Sequence, residues 1–188
     1  MSELRIYDET RPERPLEVLH RFEDIRERLS GIGVEFERWE ASKQLDAQAS
    51  QDEVIEAYRE AINTLMRKHG FKSVDVVSIH PAHPQKDAMR DKFLNEHTHD
   101  DFEVRFFVDG EGLFCMRAQG KVYACRCQRG DLINLPAHLT HWFDMGPAPA
   151  FKAIRLFTKE EGWVASFTGD PIASRFPRLE APHYAQAA

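Results

Sequence analysis

The segment from Glu96 to Arg105 reads as an alternating strand, most plainly in Phe102-Glu103-Val104-Arg105. On an extended strand side chains repeat every second residue, so His97, His99, Glu103 and Arg105 share one face. Phe102, Val104, Phe106 and Val108 share the other. A strand with imidazoles and charges on one face and bulky hydrophobes on the other is not an ordinary core strand. It is expected to form one wall of a barrel, with a polar site inside and a second layer packed outside.

Elsewhere the period changes. Leu16, Val18, Leu19, Phe22, Ile25 and Leu29 fall at helical spacing, which predicts a helix over 15–29 ended by Gly31 and Gly33. Ser50 and Glu53 form a capping-box pair that predicts the start of a second helix. That helix runs through Val54, Ala57, Tyr58, Ile62, Leu65 and Met66 to a stop at Gly70. A strand is predicted over 73–79 and a short helix over 87–94. From His97 to Phe157 the pattern is one of short strands, with turn signals at Asp109-Gly110-Glu111-Gly112 and Gln119-Gly120. The last stretch, with Pro171, Pro177 and Pro182, predicts an irregular tail wrapped over the surface. The expected architecture over residues 1–188 is a single domain, mainly β with flanking helices: a jelly-roll-like β-barrel, a helical N-terminal third packed outside it, and the tail.

Composition narrows the function classes. The formal net charge of -6 over 188 residues argues against a general nucleic-acid binder, which would show a basic face. No apolar run has the length of a membrane span, and the first residues lack the apolar core of a signal peptide. The three cysteines do not make a disulfide framework. Cys125 and Cys127 alternate with Val122, Ala124 and Arg126 as strand side chains do. A reducing cytoplasm is the expected compartment.

The candidate chemistry lies in His97, His99, Glu103 and His141. Three imidazoles and a carboxylate suit a borderline divalent metal such as iron, nickel, manganese or zinc. In an octahedral sphere they leave two positions open, which favours catalysis over a closed structural site. Arg105 shares their face, either to meet an anion or to pair with Asp101 or another acid. Arg155 is expected to make a structural ion pair, and Phe143, in parity with His141, to belong to the core or to a pocket wall. His80 and His83 read as turn residues, His138 as loop, and His20 and His69 as solvent-facing residues on helices. The spacing H-x-H, three residues, E, six residues, G, seen in His97, His99, Glu103 and Gly110, matches the first cupin motif. Gly130, Pro136 and His141 match the second. The chain departs from the pattern at Asp91, His138 and Met145, where the motifs have Gly, Gly and Asn. It therefore resembles a metal-binding cupin.

The stretches Glu96–Gly112, Leu135–Gly146 and Ile154–Phe157 resemble more specifically the acireductone dioxygenases of methionine salvage. The resemblance implies one Fe(2+) or Ni(2+) per chain on His97, His99, Glu103 and His141. It implies substrate-positioning roles for Arg105 and Arg155 and pocket walls from Phe93, Phe143 and Trp163. The implied reaction is cleavage of 1,2-dihydroxy-3-keto-5-methylthiopent-1-ene by O2. The iron form would give 4-methylthio-2-oxobutanoate and formate; the nickel form would give methylthiopropanoate, formate and carbon monoxide. The implied partners are the small-molecule acireductone and O2, with no nucleic acid and no membrane, and the chain is expected to be a cytoplasmic monomer. Two other readings stay open at this point: a non-catalytic small-ligand-binding cupin, and another cupin enzyme such as an isomerase.

Overall fold

The structure is a computed structural model describing residues 1–43, 45–46, 48–159 and 164–180. Among these residues lie eleven strands and four α-helices. β1 (Glu3–Asp8), β2 (Glu17–Leu19), α1 (Phe22–Ser30), β3 (Glu35–Arg38), α2 (Gln51–Ala57), α3 (Arg59–His69), β4 (Ser73–Ile79) and α4 (Lys86–Phe93) form the first half. β5 (His97–Thr98), β6 (Glu103–Ala118), β7 (Lys121–Gln128), β8 (Asp131–Leu135), β9 (Thr140–Asp144), β10 (Phe151–Phe157) and β11 (Ser166–Phe167) follow, and Pro171–Arg175 makes a 3-10 turn. No helix among the described residues is long and apolar enough to cross a membrane.

Strand β6 organises the fold. Its first half, Glu103 to Gly110, pairs with β10 and β8. Its second half, Glu111 to Ala118, pairs with β7 and β9. One sheet then runs β4-β10-β6-β8-β3 and the other β11-β5-β9-β6-β7-β1-β2, with β6 common to both. The pairings do not close into a ring among the described residues, so the expected barrel is an open, jelly-roll-like one.

The crossing explains the glycines misread as a hairpin. Asp109-Gly110-Glu111-Gly112 is not a turn, because the strand continues through it. Gly110 has φ +72, and a Cβ there would sit 1.9 Å from the Ala150 carbonyl oxygen. The adjoining strand is irregular between Lys152 and Ala153. The crossing also reverses which parity faces inward. Before it, Phe107 faces the inner cluster and Val104, Phe106 and Val108 face out; after it, Phe114 and Met116 face in and Leu113 and Cys115 face out. Gln119-Gly120, by contrast, is the hairpin turn expected, with both residues at positive φ between paired Ala118 and Lys121.

Three apolar layers result. The inner one joins Leu4, Ile6, Phe36, Phe107, Phe114, Cys125, Cys127 and Phe143 to Ile25 and Leu29 of α1. A second holds α2 and α3 against one sheet through Val54, Tyr58, Ile62 and Leu65 over Val104, Phe106, Ile154 and Leu156. The third covers the other sheet with the tail: Ile172, Ala173, Phe176 and Leu179 pack on Tyr7, Cys115, Val122 and Trp142. Each fully buried Phe or Leu in these layers contributes about 2 kcal/mol relative to exposure.

Other expectations are corrected. The N-terminal third is not simply helical, since β1, β2 and β3 lie within it. Residues 15–29 divide into β2 and α1, because Leu4 and Ile6 of β1 draw Leu19 and Glu17 into a ladder and leave Leu16 and Val18 exposed. The second helix is two, broken at Tyr58 with φ -113 and ψ 14; its capping box and its left-handed Gly70 stop are as expected. The motif strand is interrupted between Thr98 and Glu103, and Phe102 is exposed instead of joining Val104 and Phe106 under the helices. His69 is largely covered, stacked near Phe71 and 3.6 Å from Glu35, and His20 lies ahead of α1, not on it. Trp163 and Pro182 lie outside the described residues.

Candidate metal centre

The interruption does not scatter the predicted ligands. His97 of β5 stands opposite His141 of β9 in antiparallel register, and Glu103 opens β6 opposite Leu135 of β8. His99 lies in the link between β5 and β6. Its carbonyl accepts a hydrogen bond from the His138 amide, 2.8 Å away, which ties the two motif segments together. His138 has φ 64, so it occupies the left-handed conformation for which the cupin pattern uses glycine. Met145, standing where the pattern has Asn, is buried in the inner apolar layer.

One ligand atom from each of His97, His99, Glu103 and His141 lies within 4.8 Å of the others, and all four residues are buried. The three rings pack with centroids 4.5 to 5.2 Å apart. Every Nδ1 faces a backbone carbonyl: His97 that of Asn95 at 2.7 Å, His99 that of Val164 at 3.0 Å, His141 that of Leu139 at 2.7 Å. A carbonyl only accepts, so each Nδ1 carries the proton and each neutral ring turns a lone pair inward on Nε2. The Nε2 atoms of His99 and His141 approach Glu103 Oε2 at 3.0 and 2.9 Å. At that distance a positive charge must stand between nitrogen and carboxylate oxygen: a proton on Nε2, which makes a hydrogen bond, or a metal ion shared by the four donors. The donor set therefore fits a divalent metal ion on chemical grounds.

Electrostatics agree with that fit. Burial, with His141 nearby, pushes the His97 imidazole down to about 4, so protons compete poorly for it. Burial opposes charge on His99 too, but the hydrogen bond and charge of Glu103 outweigh it and raise that imidazole. Burial also disfavours ionised Glu103; the charges of Arg105 and His141 overcome it and hold the carboxyl well below its usual range. Arg105 itself is lowered by burial.

Arg105 does not pair with Asp101. Its Nη2 lies 3.0 Å from Glu103 Oε1, and its guanidinium carbon is 4.4 Å from the centre of the Phe143 ring. Asp101 instead accepts hydrogen bonds from Phe102 and Thr158. Arg155 makes the ion pair expected of it, a two-pronged one to Asp75 of β4 at 2.7 and 2.5 Å. Arg105 and Arg155 are cross-strand partners on β6 and β10.

A cavity of about 400 Å³ opens onto His97 and His99. Phe93, Phe143, Phe157 and Phe167 supply its apolar walls; Arg105, Arg155, Asp75 and Lys92 supply its polar ones. Phe93 and Phe143 meet edge to face at 6.2 Å. The sequence reading missed Asp75, Lys92, Phe157 and Phe167. Of these only Asp75 carried a local signal, as an acid inside an otherwise apolar strand. A cavity with clustered donors at its floor, cations on one side and rings on the other suits a small anionic molecule with an apolar end.

Residues 3–165 match the ARD/ARD' family. The chain belongs to the acireductone dioxygenase family. It is 56% identical to acireductone dioxygenase of Pseudomonas aeruginosa (strain PAO1) over 180 residues, covering 96% of this chain and 99% of the relative. Identity to the acireductone dioxygenase of Methylococcus capsulatus is 51% over 187 residues, covering 98% and 100%. The fold superposes on acireductone dioxygenase from Bacillus anthracis, with a cadmium ion in its active center, at a TM-score of 0.80 and 28% identity, covering 89% of this chain and 98% of that one. An acireductone dioxygenase is an oxygenase, and the buried His97, His99, Glu103 and His141 cluster gives this chain a metal site.

Proposed function

We propose that this dioxygenase holds one iron or nickel ion per chain on His97, His99, Glu103 and His141. With O2 it cleaves 1,2-dihydroxy-3-keto-5-methylthiopent-1-ene, as a step of methionine salvage. The observation that carries the reading is the convergence of three inward Nε2 atoms and Glu103 Oε2 at the floor of a cavity lined by Arg105 and Arg155. When bound, the metal supplies Lewis acidity and a template for the adjacent oxygens of the ene-diol.

The chain's own residues do the rest. Arg105, charged and desolvated, offers a planar fork of donors to the ionised ene-diol. Its pairing with Glu103 and its seat on Phe143 fix the direction of that fork. Arg155, clamped by Asp75, adds a second positive wall on the neighbouring strand. Phe93 and Phe143 exclude water and take the methylthio end. An anion held between two guanidiniums stays deprotonated, the form that reacts with O2. The three buried free thiols accord with a cytoplasmic location, and we assign the chain a monomeric state.

The test is to strip the metal, reload separate samples with iron and nickel, supply the ene-diol and O2, and identify products. The iron form is expected to give 4-methylthio-2-oxobutanoate and formate; the nickel form is expected to give methylthiopropanoate, formate and carbon monoxide. Identical products from both would remove the two-metal chemistry, and no O2 uptake by either would replace the enzyme with a ligand-binding cupin.

A further inference from the structure

The residues that follow β10 return to the ligand segment at three separate points. At the first, Thr158 gives its hydroxyl to Asp101 Oδ1 at 2.6 Å and its amide to Asp101 Oδ2 at 2.9 Å. Asp101 is buried and lies in the link between His99 and Glu103. At the second, the Val164 carbonyl accepts from His99 Nδ1. At the third, the exposed residue Thr168 gives its hydroxyl to Glu96 Oε2 at 2.6 Å and its amide to the Glu96 carbonyl at 3.1 Å. Glu96 is buried and precedes His97 directly; its other oxygen receives Arg117 Nη1 at 3.3 Å. Between these points Ser166 and Phe167 of β11 pair with Thr98 and His97 of β5.

The two threonine latches are built alike but not identically. Each gives its hydroxyl to a buried carboxylate within two residues of a candidate ligand; the Thr158 amide goes to the same carboxylate and the Thr168 amide to the Glu96 backbone carbonyl. A buried carboxylate is costly unless its oxygens are hydrogen-bonded, so each acid fixes its threonine and is fixed by it. Neither acid belongs to the ligand cluster, and neither threonine lines the cavity. The two acids flank His97 and His99, with Asp101 standing between them and Glu103. β5 has only two residues, His97 and Thr98, and a single register pair to β9, too short a ladder to hold the His97–His99 segment by itself.

We propose that Thr158 and Thr168 are positioning residues of the metal centre, acting through Asp101 and Glu96 to hold the His97–Glu103 segment in ligating geometry. The inference rests on the metal reading above and adds residues that touch neither metal nor substrate. Loss of groups that orient metal ligands costs about 10- to 100-fold in metal affinity. Thr→Val keeps the side-chain shape and removes only the hydroxyl.

The experiment measures release of Ni2+ from the full-length protein into excess chelator. Wild type, Thr158→Val, Thr168→Val, the double variant and the two Thr→Ser variants are compared, each also melted metal-free. Thr64→Val on exposed α3 serves as control. Each valine variant is expected to release nickel roughly tenfold faster than wild type, the double variant about a hundredfold faster. The serine variants and the Thr64 control should match wild type, and the valine variants should also melt somewhat lower when metal-free, because each takes a hydrogen bond from a buried carboxylate. Release within twofold of wild type in the double variant would overturn the proposal. So would a lowered metal-free melting temperature with unchanged release, which is what a merely structural role gives. A wild type that retains no nickel would overturn the metal reading itself and this inference with it.

Discussion

The two halves of β6 have the same length and the same kind of inner space to face, yet they do different things. Glu103 and Arg105, in the first half, place a carboxylate and a guanidinium inside, against three imidazoles. Phe114 and Met116, in the second, place only apolar groups inside. The divide is the Gly110–Gly112 crossing, where the strand changes sheets and its parity reverses. Burying charge is costly unless it is paired. Here every inward charge is gathered at one end, where each has a partner, and the other end is left to close the core. One strand thus carries both the chemistry and the packing that holds it in place.

The crossing is where this contrast breaks most easily. Gly110→Ala would drive a Cβ against the Ala150 carbonyl and the Phe151 Cα, at a φ that L-residues resist. A loss of about 3 kcal/mol or more is expected, read as a lowered urea midpoint. Gly120→Ala, at φ +71 but with nothing within 4 Å, should lose only about 1 kcal/mol. Equal losses at the two glycines would mean that close approach at the crossing is not what requires Gly110.

A pH series on metal-free protein isolates the polar half. His97, lowered from 6.5 to about 4, stabilises the fold fully above pH 6.5 and loses that contribution as pH falls toward 4, because the unfolded chain takes up the proton first. The amount is on the order of 3 kcal/mol. His99, raised, contributes fully below its unfolded value of 6.5 and loses its share as pH rises through its folded value. Metal-free stability is therefore expected to peak near pH 6.5, and bound metal should extend the plateau upward by holding His99 without its extra proton. A melting temperature flat from pH 4 to 8 in the metal-free protein would contradict the two opposed shifts.

Smaller effects sharpen the picture. Arg105→Lys keeps the charge but loses the planar fork, and about 1.5–3 kcal/mol of transition-state binding should go with it, a roughly tenfold to hundredfold fall in kcat/KM. Met116→Leu, inward on the other half of the strand, should cost less than about 1.5 kcal/mol of stability and leave kcat/KM alone. Activity surviving in Arg105→Lys would return Arg105 to a bracing role beside Glu103.

How much of this could be read in the chain follows the range of each signal. The clustering of the four candidate ligands was legible because strand parity and loop length bring H-x-H, Glu and a distant His together under local rules, even though the strand itself is interrupted at His99–Phe102. The α2 capping box and the Gln119-Gly120 turn were legible for the same reason. β1 and β3 were not. β3 buries only Phe36 of its four residues and exists because β8 pairs with it. The glycines of the crossing carried a true signal, positive φ, that turns and sheet-to-sheet bends share. Asp75, Phe157 and Phe167 reach the cavity through pairings of β4 with β10 and of β11 with β5, partners far apart in sequence that no local pattern announces.

The central claim is that the inner face at the start of β6, with β5 and β9, is a metal centre and the remainder of the strand is core. Metal analysis of the purified protein beside His97→Ala and His141→Ala tests it most directly. One divalent ion per chain is predicted in the wild type, and almost none in either variant, with the β-sheet circular dichroism of both variants intact. Wild-type metal content in both variants would contradict the account.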